Sequence, residues 1–273
     1  MESNEIASPQ LAPPAEPVEP STVAPAWHTI VLVAVILAIS CNGASRLAMK
    51  HGPIDRLTTY GLTAAMEAGL LAWVVFGLRL RKIPFRSLLG SFSSGFRSIA
   101  MDLAIALVFW FCSLMVLGSL GIAWTGVQAA LDHRPQATHM AGQPLAPDAS
   151  QTRALRALGQ LAPSNGGEMA AWALLCLLVG FVEEVVFRGY LQRQFVAFAR
   201  GGVVAGVVLS AAVFGGAHSY QGVRNMFLLA VFGLLFSALA LYRRSLRAGM
   251  FAHSWHDLIA GLTLALLKSN HLI

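Results

Sequence analysis

The chain has 273 residues, 56% of them hydrophobic and only 12% charged, with a mean hydropathy of +0.64 and a formal net charge of +6. Its length would allow one or two soluble domains, but so few charged side chains cannot keep that surface in water. The composition therefore excludes a soluble globular protein and predicts an all-α, polytopic transmembrane helical bundle of about seven to eight spans.

Residues 1–26, MESNEIASPQLAPPAEPVEPSTVAPA, are rich in Pro, Glu and Ala and contain no Lys or Arg. The basic start and early apolar stretch of a secretory signal are absent, and a disordered tail is expected. Apolar runs of spanning length follow at 27–48, 59–80 and 98–124, an N-terminal three-span group within 27–124. The acids within the spans are Glu67, deep enough to line a cavity or to pack against a hydroxyl, and Asp102, near the start of its span and expected to reach the interface. No role is assigned to Glu67. Residues 125–167, with Pro135, Pro144, Pro147 and Pro163, read as a polar loop. Within it TRALRALGQL suits a short interfacial helix.

Four further runs, 168–188, 202–221, 223–242 and 247–267, form a core over 168–267 that carries the unusual residues. The stretch LLVGFVEEVVFRGYL sets Glu183, Glu184 and Arg188 in membrane-grade sequence. Ionisable groups are expensive there and mark function by default. Four apart on a helix, Glu184 and Arg188 share a face and can pair, while Glu183 is rotated by roughly 100° and escapes them. In SAAVFGGAHSY, Phe214 and His218 share a face, and upstream Gly202 and Gly206, with Ser210, give the small-residue spacing that lets helices approach. In MFAHSWHDLIAG, His253, His256 and Asp257 can occupy one broad face, with Asp257 placed to fix the tautomer of His253.

The basic residues do not form one patch, which argues against a nucleic-acid partner. They cluster in short loops after the second, fourth and sixth spans, among them Arg79, Arg81, Lys82 and Arg86, then Arg193 and Arg200, then Arg243, Arg244 and Arg247. All three loops fall on the cytoplasmic side if the N-terminus is cytoplasmic, although Arg46, Lys50 and Arg56 lie on the other. Cys41, Cys112 and Cys176 sit within apolar runs at no metal or redox spacing and read as small buried hydrophobes.

Two chemistries suit these polar groups. Glu183 and His218 can hold and deprotonate a water that attacks a peptide carbonyl, with His253, backed by Asp257, stabilising the oxyanion. Alternatively, Glu183, His218 and His253 can supply three ligands to Zn²⁺ with an open fourth position. Spacing does not decide between them, and the H-E-x-x-H pattern of soluble zinc proteases is absent.

These motifs resemble those of the CPBP family, the CAAX prenyl endopeptidases and bacteriocin-processing intramembrane proteases. Glu183-Glu184-Val185-Val186-Phe187-Arg188 is similar to the family's E-E-x-x-x-R; Phe214 with His218, and His253 with Asp257, stand where its later motifs do. The resemblance covers about 168–263. It implies that Glu183 and His218 activate water, that Glu184 and Arg188 form the supporting pair beside Phe214, and that His253 with position 257 stabilises the oxyanion. It implies no required cofactor, with zinc as the alternative. The prenyl endopeptidase branch has Asn where this chain has Asp257, and an ionised Asp cannot donate to an oxyanion. The expectation is a multi-pass protein of a prokaryotic cytoplasmic membrane that cleaves a membrane-anchored peptide or protein near its C-terminus. A non-catalytic scaffold or immunity protein, or a proton-coupled transporter, is the alternative.

Overall fold

The computed structural model describes residues 21–49, 55–92, 95–131 and 158–270, with the backbone alone for 43–49. Every apolar run of the sequence appears as a helix. These are α1 (Ala26–Met49), α2 (Arg56–Leu80), the short α3 (Arg86–Leu89), α4 (Phe96–Leu131), α5 (Gly166–Phe198), α6 (Val203–Gly216), α7 (Val223–Arg243) and α8 (Arg247–Ser269). No strand is present among the described residues, and the only ladder contact there is a bridge between Gly90 and Ser245. The protein is an all-α, polytopic membrane bundle. Helices α2, α4, α5 and α7 are long and apolar enough to cross a bilayer by themselves.

Three helices depart from the runs that announced them. The polar loop was expected from residue 125, yet α4 continues to Leu131; its 36 residues give a rod of about 54 Å, longer than the hydrocarbon core. Its side chains Val108, Phe111, Met115 and Ile122 are exposed, as lipid-facing residues should be. The run 202–221 yields only 14 residues of α-helix, about 21 Å, so α6 ends at Gly216 and is by itself shorter than the hydrocarbon core. The third, α5, widens to π geometry over Glu184–Leu191. Most of the proposed interfacial helix lies outside the described residues; its last part, from residue 158, is helical.

Part of the expected disordered tail is structured. Val23 and Ala24 are buried, and their backbone N–H groups donate to Gln194 Oε1 at 2.7 and 3.3 Å, while Gln194 Nε2 donates to Ala24 O at 2.9 Å. A buried polar chain continues the anchor. Gln194 Nε2 reaches Thr29 Oγ1 at 2.6 Å, Thr29 meets Tyr190 Oη at 2.9 Å, and Tyr190 meets His28 Nδ1 at 2.7 Å. His28 Nε2 donates to Trp73 O at 2.9 Å, so Nδ1 accepts from the tyrosine. Every group in the chain is satisfied, which is the condition for burying them.

The basic loops do gather at one end. Ser91 N donates to Arg244 O and Leu246 N to Leu89 O, each at 3.0 Å, joining the segment after α2 to the turn before α8. Asp102, expected near the interface, lies at this end among the basic loops. It is buried, accepting from Arg243 Nη2 at 2.6 Å and Arg247 Nε at 2.5 Å, because the arginines flanking the α7–α8 turn lie over the start of α4. At the opposite end Asp55 caps α2, and the Thr58 hydroxyl, donating at 2.6 Å, holds its carboxyl below the usual range. There Arg56 pairs with Glu168 at 3.2 Å, tying α2 to α5. Cys176 is buried as expected, but Cys41 and Cys112 are exposed, on helix faces turned toward lipid.

Candidate active site

The site grows from a close approach of α5 and α8. A Cβ on Gly180 would stand 2.7 Å from Ser254 N, and one on Gly261 would stand 2.7 Å from a Trp172 ring carbon. Both distances are below van der Waals contact, so only glycine fits, at Gly180 against the α8 backbone and at Gly261 against the Trp172 ring. On this seam α5 delivers Glu183 and Glu184, and α8 delivers His253 and Asp257.

Arg188 Nη1 pairs with Glu184 Oε1 at 3.0 Å, with both side chains almost fully buried. The expected pair therefore forms, although on π rather than α geometry. Wide turns of this kind recur at functional sites. The guanidinium also lies 4.4 Å from the Phe214 ring centroid and 4.9 Å from that of Phe236, an aromatic cage that replaces water around the cation. Ser210 on α6 donates to Phe187 O at 2.7 Å, holding the widened segment from the side.

His253 is the hub. Its Nδ1 donates to Glu184 Oε1 at 3.1 Å, and its Nε2 faces Glu183 Oε2 at 3.5 Å and Asp257 Oδ2 at 3.8 Å. The carboxylate within hydrogen-bond reach of His253 is thus Glu184, whereas Asp257, expected to fix the tautomer, stands beyond that reach. The two adjacent glutamates differ in access. Glu184 is 0% exposed in its side chain and Glu183 14%, although Glu183 Oε2, the oxygen that faces His253, is itself buried with no hydrogen-bond partner among the described residues.

His218 sits where α6 ends, its Nδ1 donating to Phe214 O at 2.9 Å. That bond leaves Nε2 as the acceptor nitrogen. The Phe214 ring lies 5.0 Å from His218 and 6.0 Å from His253, so one aromatic joins the two histidines. Among the described residues no hydrogen bond or ion pair links His218 directly to Glu183. His256 packs on Phe232 with ring centroids 4.9 Å apart.

Two residues of the site went unread in the sequence. Glu67 on α2 is buried, its Oε2 has no hydrogen-bond partner among the described residues, and the charges of Glu183, His253 and Asp257 act on it. Tyr220, its ring 6.1 Å from His218, feels the charges of Glu183 and Asp257. Depth within its run was the one hint at Glu67; Tyr220 had none beyond closeness to His218.

The zinc alternative asks Glu183, His218 and His253 to converge on one point. Among the described residues no three such side chains are arranged to hold a metal ion, and no hydrogen bond or ion pair links His218 to either of the other two. This donor set does not fit zinc as it stands.

Fold and cluster together define the class: an integral membrane protein, all-α and polytopic, with acids, an arginine and histidines shielded at the centre of its bundle. Residues 165–259 match the family model of the type II CAAX prenyl endopeptidase, Rce1-like, which supports the CAAX protease family and, at that level, an intramembrane protease. The matched segment carries Glu183, Glu184, Arg188, Phe214, His218, His253 and Asp257. No curated protein and no solved structure matches the chain.

Proposed function

We propose that the protein hydrolyses a peptide bond near the C-terminus of a membrane-associated, prenylated CAAX-type protein or peptide, using water activated by Glu183 and His218. The observation that carries this reading is the asymmetry of the adjacent acids. Arg188 and His253 both meet Glu184 Oε1, while Glu183 has no arginine partner among the described residues and its side chain is less deeply buried, with Oε2 left without a hydrogen bond 3.5 Å from His253 Nε2. A carboxylate held by an arginine and a histidine orients its neighbours; one beside a histidine and free of an arginine can take a proton.

In this mechanism Glu183 removes a proton from water as the oxygen attacks the scissile carbonyl carbon. His253 donates from Nε2 to the oxygen on which charge develops, its ring held through Nδ1 by Glu184. Collapse of the tetrahedral species breaks the C–N bond, and the proton taken by Glu183 passes to the departing amine. His218, with Nδ1 fixed to Phe214 O, offers Nε2 to the same water. Asp257 acts on the Nε2 side of His253, as an orienting group or, when protonated, as a donor. The setting we infer is the cytoplasmic membrane of a prokaryote, with the basic loops inside.

The test is release of a C-terminal fragment from a farnesylated reporter peptide by purified protein in lipid. Glu183→Gln and His218→Ala should each lower turnover by about 10²-fold or more, the range of general acid–base catalysis. Turnover should persist in a strong chelator. Retained turnover in both variants defeats the proposed roles, and loss on chelation restored by Zn²⁺ defeats the metal-free reading.

A further inference from the structure

A cavity of about 550 Å³ opens at the basic end of the bundle, between α3, the last turns of α5 and α7, and the start of α6. Its volume falls in the range of small-molecule sites, roughly 300–1,000 Å³. Arg188 forms part of its lining, so the cavity touches the residue that holds Glu184.

The lining has three distinct chemistries. Leu88 and Leu246 are buried aliphatic walls, while Val203 and Leu241 are 46% and 45% exposed and turn apolar surface outward at the cavity's edge. An edge of that kind faces lipid rather than water. Arg193 and Arg244 are also exposed along it, and no acid is among the lining residues. Neither guanidinium has an ion-pair partner among the described residues, in contrast to the carboxylates that meet Arg56, Arg188, Arg243 and Arg247. Finally, Gln192 Oε1 and Ser87 Oγ are buried with no hydrogen-bond partner there, and both residues line the cavity. Buried polar atoms without partners are costly and call for a ligand group or water.

We propose that this cavity binds one anionic phospholipid. One of its acyl chains lies along the aliphatic walls, its phosphate is held by Arg193 and Arg244, a headgroup hydroxyl donates to Gln192 Oε1, and Ser87 Oγ donates to a glycerol ester oxygen. Each feature removes an alternative. A soluble anion has no use for aliphatic walls open to the bilayer, and a zwitterionic lipid gains less from two cations with no acid beside them. Anionic lipids are attracted to arginines at the membrane surface, and here the arginines stand beside a cavity deep enough to take a chain.

The test uses the full chain in nanodiscs of phosphatidylcholine, with or without phosphatidylglycerol, and native mass spectrometry of the lipid retained after transfer to detergent. One phosphatidylglycerol per chain should be retained from the mixed bilayer. The double variant Arg193→Gln/Arg244→Gln should retain it about thirtyfold less well, as two surface arginines contribute. Arg81→Gln, at the same end but outside the lining, should retain it like the wild type. Val203→Trp, which closes the edge and keeps both arginines, should also lose it. The proposal fails if phosphatidylcholine is retained equally, if the double variant or Val203→Trp binds like the wild type, or if Arg81→Gln loses as much as the double variant.

Discussion

Glu184 is the residue on which the centre of the molecule depends. One oxygen of its carboxylate receives Arg188 at 3.0 Å and His253 at 3.1 Å, all three side chains being buried. Replacing Glu184 with Ala leaves a buried guanidinium with no acid, and the loss of one partner of such a pair costs roughly 3–5 kcal/mol. The expected outcome is a marked fall in melting temperature in detergent, with turnover lost as well; an unchanged melting temperature would show that the aromatic cage alone holds Arg188. Glu67 is expected to behave in the opposite way. Its carboxylate is buried without a hydrogen-bond partner among the described residues, so Glu67→Gln should keep or raise stability. Because the charges of Glu183, His253 and Asp257 act on it, the same variant should lower kcat by about tenfold, roughly 1.4 kcal/mol on the barrier, with KM little changed. The pairing of Glu184 with Arg188 was legible from spacing, since the partners are four residues apart. The approach of Glu67 was not, because periodicity within one helix says nothing about which neighbour that helix meets.

Among the elements, the α5–α8 seam sets the precision of the site. Gly180 and Gly261 allow the close approach, and Gly249 clears room for Glu184, where a Cβ would stand 2.9 Å from Oε2. A valine at Gly180 must push α8 outward, opening the 3.1 Å contact between Glu184 and His253. A displacement of about 1 Å can cost 10²-fold in rate, so Gly180→Val should retain folding and lose most turnover. Gly61, whose Cβ position meets nothing within 4 Å, supplies the control, and Gly61→Ala should be silent. The number and order of the helices were readable from apolar runs of 20 residues or so, the length a bilayer demands. Their deviations were not. The π widening over Glu184–Leu191 is braced by Ser210 from another helix, which no pattern within one run reveals, and α6 ends at Gly216 within a run read as a single span.

For the molecule as a whole, Asp102 clamps the end that carries the basic loops. It joins α4 to α7 through Arg243 and to α8 through Arg247, while Ser98 on α4 accepts from Arg247 Nη2 at 2.6 Å. Charge counting along the sequence assigned these arginines to the cytoplasmic face by number alone. Their second task, holding three helices together, depended on a carboxylate more than a hundred residues away in the chain and could not be read from the loop. The two tasks make separable predictions. Asp102→Ala leaves the positive charge of the end intact, so the membrane orientation, read by cysteine labelling from either side, should not change. It removes the acid from the largely buried Arg247, however, and stability should fall by about 3 kcal/mol, the lower part of the range for a broken buried pair, since Arg243 is partly exposed and can turn to water. Asp102→Asn keeps one acceptor oxygen, enough for one of the two arginines, and should fall by less. An Asp102→Ala protein that melts like the wild type would mean that the bundle holds without the clamp. Reversed orientation would mean that the acid, and not the arginines alone, sets which way the chain enters the membrane.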